Sequence, residues 1–522
     1  MLKAIQIIAI TLAGTVLVGT FVLIFAESRW VDPNPKNPRD YFLHGSTGTE
    51  LMPLAVFQVL PTLFPEQFQP AGEVGGDWVD QFGFVRGSPD ANYGLPYGIN
   101  VSHYRPKSGA PSPIPFVGFN CAVCHTANFE RAGQPRGTVV LGMANPRLDL
   151  VAFGDAIRRS VLDQDRLTMS TIATTYKDLN HKSLSFAARL AIRYWLRGAR
   201  TALKADLPMR GSPFSSSNLR NSALMPSGPG RNQPMMETVR FLIHETPVPN
   251  GGASKIPCLY QQQRRLRAQF DGSVGDPLTR NSLAALGVGA SVYNLKMPGI
   301  LGTMQQSYVF VKTLDGPRYA DLIGAGGHAT DPARVQRGRD AYMQYCSSCH
   351  GWQERGDNWA TGSRQGQVIP ASEVGTDSAR VSFRYYAQMG TFIDAFFPPG
   401  HPLKPPVGDI RALPEAERGF ITEPLEAAFS RAPYLHNGSV PTLAELINLK
   451  PRRPVFYRGR SEFDPVDVGI VVTDQPDLDH YFRYDTGEYG NSNHGHNYPW
   501  PYQGTGWNAD TLSDLLEYLK TL

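Results

Sequence analysis

The chain has 522 residues, 41% hydrophobic and 18% charged. This excludes an intrinsically disordered chain and allows several cores, at about 150 residues per domain. Lys and Arg outnumber Asp and Glu by 50 to 46, for a net charge of +4, too small an excess to argue for a nucleic-acid partner.

In chain order, Ala4 to Ala26 carries no charge. At about 1.5 Å per residue the stretch is long enough to cross a bilayer core of about 30 Å, so it predicts an N-terminal transmembrane helix. A cleaved secretory signal is the alternative reading, with a shorter apolar region of about 7–15 residues. Either reading exports the rest of the chain. Trp30 to Tyr41 is polar and Pro-rich, the pattern of a linker. With 51 Gly and 43 Pro, the remainder is expected to be mainly α with extensive irregular loops. Pro106–Pro115, Pro226–Pro234 and Pro398–Pro406 are the clearest loops. Asn145-Pro146 and Asp331-Pro332 read as helix starts, and Asp510 as the cap of a last helix bearing Leu512, Leu515, Leu516 and Leu519 on one face.

The five cysteines fall at 121, 124, 258, 346 and 349. Two close pairs and one spare thiol make a poor disulfide framework. Each pair lies in Cys-x-x-Cys-His: Cys121-Ala-Val-Cys124-His125 and Cys346-Ser-Ser-Cys349-His350. This is the attachment pattern of c-type haem. Two thiols one helical turn apart reach the two vinyl groups, and the adjacent imidazole binds iron. A zinc site shared by the two pairs would need far closer spacing. The chain therefore divides into an anchor or signal (1–30), an N-terminal haem domain with a large insertion (31–325) and a C-terminal cytochrome c domain (326–522). The two haem domains are cytochrome c-like, and each binds one covalently attached haem c. The last helix is expected to pack across the helix that delivers Cys346. Cys258 reads as a buried inert thiol.

The group opposite His125 and His350 decides between electron transfer and catalysis. His401, His436, His480, His494 and His496 are available for the second iron, and His103, His181, His244 and Met225 for the first.

Arg431–Leu446 (RAPYLHNGSVPTLAEL) resembles the matching stretch of bacterial di-haem cytochrome c peroxidases and of RoxA-type rubber oxygenases. Further pieces resemble the RoxA-like group, in order along the chain: His44–Glu50, Asn120–Thr126, Pro229–Arg231, Arg280–Gly287, Val455–Gly459 and Gly490–His496. The resemblance implies unequal haems. The N-terminal one would be reactive and open to peroxide or O2, with His125 as its proximal ligand. The C-terminal one would be six-coordinate, with His496 as the best match for its distal ligand and His436 or His494 as alternatives. In the peroxidases that ligand falls where this chain has Leu435, which cannot bind iron. Phe270-Asp271-Gly272 departs from a Trp-containing pattern in the relatives, which argues against rubber cleavage.

Three functions are compatible with these features: a peroxidase-like or oxygen-activating redox enzyme, a pure electron-transfer cytochrome, or a dioxygenase of a hydrophobic olefin. The expected partner is a redox protein or a quinol-linked complex. The expected location is the bacterial inner membrane, with the haem domains in the periplasm.

Overall fold

The structure, a computed structural model, describes residues 36–68, 77–206, 228–232, 253–323, 328–353, 358–382, 386–411, 413–477, 479–498 and 507–522. Helix α1 (Pro38–His44) opens on Asn37, whose side chain accepts from the Asp40 N–H, with Pro38 at the first helical position. Strand β1 (Glu50–Pro53) and helix α2 (Leu54–Leu63) follow. Strands β2 (Ile99–Tyr104) and β3 (Pro111–Phe119) complete an antiparallel three-stranded sheet ordered β1-β3-β2. Met52 and Val101 both lie opposite Val117.

Cys121–Cys124 forms the short helix α3, and strands β4 (Thr126–Arg131) and β5 (Gln134–Leu141) make a hairpin directly after it. Helices α4 (Leu150–Leu162), α5 (Met169–Asn180) and α6 (Phe186–Asp206) cover this region. Two-residue strands β6 (Arg231–Asn232) and β7 (Ser254–Lys255) pair with each other. After helices α7 (Pro277–Gly287) and α8 (Pro298–Lys312) comes α9 (Pro332–Tyr345), then the one-turn helix α10 (Ser347–His350). Strands β8 (Val455–Arg458) and β9 (Phe482–Asp485) pair antiparallel, and α11 (Ala509–Leu519) closes the fold.

One apolar core runs from Val56 and Leu60 of α2 through Phe119 and Phe153 to Tyr342, Leu515 and Leu519. A second lies under α7 and α8, around Leu286, Ile300 and Met304. Helices α9 and α11 cross as expected. A Cβ on Gly338 would come within 2.0 Å of the Asp514 carbonyl, so only glycine permits the approach. Tyr342 and Tyr518 meet at 5.1 Å between ring centres, and Arg334 and Arg337 both pair with Asp514 at the rim.

Several expectations are corrected. The fold is mixed rather than mainly α: the described residues hold one three-stranded sheet and six two-stranded ones. Their strands are short, and β3 carries three prolines in nine residues, which hid the alternation that marks a strand. The transmembrane helix is not upheld. Among the described residues no helix is long and apolar enough to cross a membrane. The longest, α6, carries Arg189, Arg193, Arg197, Arg200 and Lys204. Ala4–Ala26 lies outside the described residues. Asn145 starts no helix. It bonds the Gly83 carbonyl and the Arg147 N–H, and Asp149 caps α4 four residues later. Asn508, not Asp510, caps α11. Asp331 caps α9 as expected.

Candidate functional site

The first Cys-x-x-Cys-His is held from beneath by the segment His44–Glu50. The Thr47 hydroxyl donates to the Phe119 carbonyl at 2.8 Å, and Thr49 bonds both the carbonyl and the N–H of Phe119. That fixes the end of β3. Asn120 then accepts from the Ala122 N–H at 3.0 Å and donates to the Gly45 carbonyl at 2.9 Å, so one side chain caps α3 and ties it to α1. Gly98 lies so close beneath α3 that a Cβ would fall 1.9 Å from the Val123 nitrogen.

His125 is buried, and its Nδ1–H donates to the Pro257 carbonyl at 2.9 Å. This fixes the tautomer and leaves Nε2 as the donor atom for a metal. Burial pushes its pKa down to about 3, and the Arg280 guanidinium pushes the same way, so the ring is neutral as iron requires. Arg280 also acts on Cys121 and Cys124.

The second motif is delivered by α9. Cys346 ends that helix and begins α10, and Gly351, with φ of 66°, turns the chain away after His350. His350 Nδ1–H donates to the Glu423 carbonyl at 2.7 Å, the same arrangement as at His125. Opposite stands His496, its ring centre 6.1 Å from that of His350. Two imidazoles sharing one iron need about 6 Å: a metal–nitrogen bond of about 2 Å on each side, plus about 1 Å from each nitrogen to its ring centre. The pair fits a six-coordinate haem iron. His496 Nδ1 is buried with no hydrogen-bond partner among the described residues.

The loop carrying His496 is clamped along its length. Asn437 donates to the Gly490 and Ser492 carbonyls, Ser439 to the Ser492 carbonyl, and Arg231 to Asn491. Arg452 donates to the Asn493 and Gly495 carbonyls, and the His496 N–H donates to the Val374 carbonyl at 2.7 Å.

The remaining predicted residues go elsewhere. His436 stacks on Phe420 at 4.4 Å, beside Phe270, with Arg380, Arg231 and Lys255 near enough to act on it. His494 is exposed. His401 spends both nitrogens on backbone, and His480 bonds Asp477. His103 bonds the Ser112 carbonyl, His181 is an exposed helix end, and Leu435 adopts a left-handed backbone conformation. His244 and Met225 lie outside the described residues. Arg231 serves the His496 loop. Cys258 is buried, accepting from the Ala144 N–H at 3.4 Å.

Sequence reasoning missed Pro257, Glu423 and the placement of Arg280. Backbone carbonyl acceptors leave no residue-type signature, so neither histidine's partner was readable. Arg280 opens the RoxA-like segment Arg280–Gly287, but only the fold brings it to Cys121.

Residues 419–458 match the family model "RoxA-like, cytochrome c-like", a span that holds Glu423, His436 and Arg452. Residues 39–125 match a Y4iN-like domain and end on His125. Two relatives come from Sinorhizobium fredii (strain NBRC 101917 / NGR234). The uncharacterized protein y4iJ is 24% identical over 94% of this chain and 93% of its own length. The uncharacterized protein y4iM is 29% identical over 51% of this chain and 64% of its own. With the RoxA-like match lying across the segment that supports His350, the chain is similar to RoxA-like cytochromes c over residues 419–458, and that likeness implies haem c as the cofactor.

Proposed function

We propose that the chain is a two-haem c-type cytochrome and a peroxidase-like redox enzyme. One observation carries this reading: each Cys-x-x-Cys-His places its imidazole Nδ1–H on a backbone carbonyl, at 2.9 Å for His125 and 2.7 Å for His350. Cys121, Cys124, Cys346 and Cys349 would hold the haems through thioether bonds. Haem iron, once bound, supplies the electron-transfer and peroxide or O2 chemistry.

The surroundings support unequal roles. His350 and His496 enclose a site saturated by two imidazoles, which suits electron transfer. Among the described residues no second imidazole faces His125 in this way. Arg280 instead offers a cation beside that motif, and a cation favours an anionic or polarised oxygen ligand. His125 is thus the proximal ligand of the reactive haem. Covalent haem attachment, made outside the cytoplasm in bacteria, supports a periplasmic location. A redox protein or a quinol-linked complex would then supply the electrons.

Haem quantification with peroxide titration tests this reading. It predicts two haems per chain, with one haem's spectrum responding to peroxide or carbon monoxide and the other silent. Two unresponsive haems would leave a pure electron carrier.

A further inference from the structure

A buried ion pair adjoins the second motif. Arg265 binds the Glu423 carboxylate through Nη1, and the backbone carbonyl of the same Glu423 holds His350. The Arg265 side chain is 6% exposed. Its Nε and Nη2 are buried with no hydrogen-bond partner among the described residues. Arg280 is within electrostatic reach of Arg265 and Glu423 and also of Cys121, Cys124 and His125. Arg265 is thus tied to the second motif through Glu423 and lies within electrostatic reach of Arg280, which acts on the first.

A guanidinium keeps its charge in any protein, and buried N–H donors without acceptors are costly. Two adjacent donors match a planar carboxylate. Each haem brings two carboxylates as its propionates. We propose that Arg265 docks a haem propionate through its Nε and Nη2 hydrogens and that its charge favours reduction at both irons. This inference rests on the two-haem reading above.

The test is a spectroelectrochemical titration of the full, haem-loaded chain with its haem content measured. Arg265→Gln is expected to lower the one-electron reduction constant of both haems about tenfold, ~59 mV. Glu423→Gln removes the opposing charge, leaves the carbonyl on His350 in place, and is expected to raise both. Arg264→Gln is the control, because Arg264 faces Glu426 and the Trp359 ring instead; it should move neither. If Arg265→Gln leaves either potential in place, the proposal fails. If that variant loses its haems, Glu423→Gln decides by the same criterion with the opposite sign. A wild-type count of one haem per chain would refute the two-haem reading itself, whereas two haems with unmoved potentials would refute only the role of Arg265.

Discussion

Arg452→Ala removes the clamp nearest His496. Its guanidinium donates through Nη1 to the Asn493 and Gly495 carbonyls, through Nε to the Glu445 carbonyl at 3.2 Å and through Nη2 to the Leu446 carbonyl at 3.0 Å. The first two bonds hold the His496 loop, and the other two fix the arginine itself. Hydrogen bonds from a charged donor are each worth about 1.5–3 kcal/mol net. Losing the two loop bonds should therefore favour loop release by about 3 kcal/mol, roughly a hundredfold in the release equilibrium. Asn437, Ser439 and Arg231 still hold Gly490–Ser492, so only the His496 end loosens. In the two-haem reading, an external ligand at the His350 haem must displace His496, so its apparent affinity should rise by that factor. Cyanide titration of the ferric protein measures it. Arg453→Ala, which loses a pairing with Glu445 at 3.3 Å rather than a bond to the loop, is the control. A folded Arg452→Ala protein with wild-type cyanide affinity would refute the reasoning.

Gly338→Ala forces a methyl group onto the Asp514 carbonyl. It should cost about 1–3 kcal/mol, read as a fall of several degrees in the calorimetric midpoint; an unchanged midpoint would contradict the helix crossing. Asn120→Ala loses the cap of α3 and leaves the Gly45 carbonyl without its side-chain donor. A cost of about 2 kcal/mol is expected, and urea unfolding followed at the first haem should show it more strongly than at the second. His436 should make stability pH-dependent. Burial, with Arg380, Arg231 and Lys255 adding, pushes its pKa down to about 3, while an unfolded histidine titrates near 6.5. Its contribution is therefore complete above about pH 6.5 and is lost as pH falls toward 3, at about 1.4 kcal/mol per unit. Between pH 7 and 5 the wild type should lose about 2 kcal/mol more than His436→Gln; equal losses would show that His436 is not the group.

The two Cys-x-x-Cys-His motifs were legible because covalent haem attachment demands a fixed spacing of two thiols and an imidazole. Helices α9 and α11 were legible because their apolar faces repeat at helical period. The sheet around Cys121 was not: Pro111, Pro113 and Pro115 sit inside β3, and proline reads as a loop. Its strand character comes from Thr47, Thr49 and the facing strands, contacts that are distant in sequence. The choice among the C-terminal histidines was also tertiary. His436 and His496 both sit in distinctive motifs, yet only His496 is carried to His350, by a loop that side chains from three other segments hold in place.

The most direct measurement is the electron paramagnetic resonance spectrum of the ferric, fully loaded protein and of His496→Ala. Two haems are expected in the wild type: a low-spin signal from the His350–His496 site and a high-spin signal from the His125 site. The low-spin signal alone should convert to high-spin in the variant. Two low-spin haems in the wild type, or a low-spin signal that survives the substitution, would contradict the assignment of unequal haems.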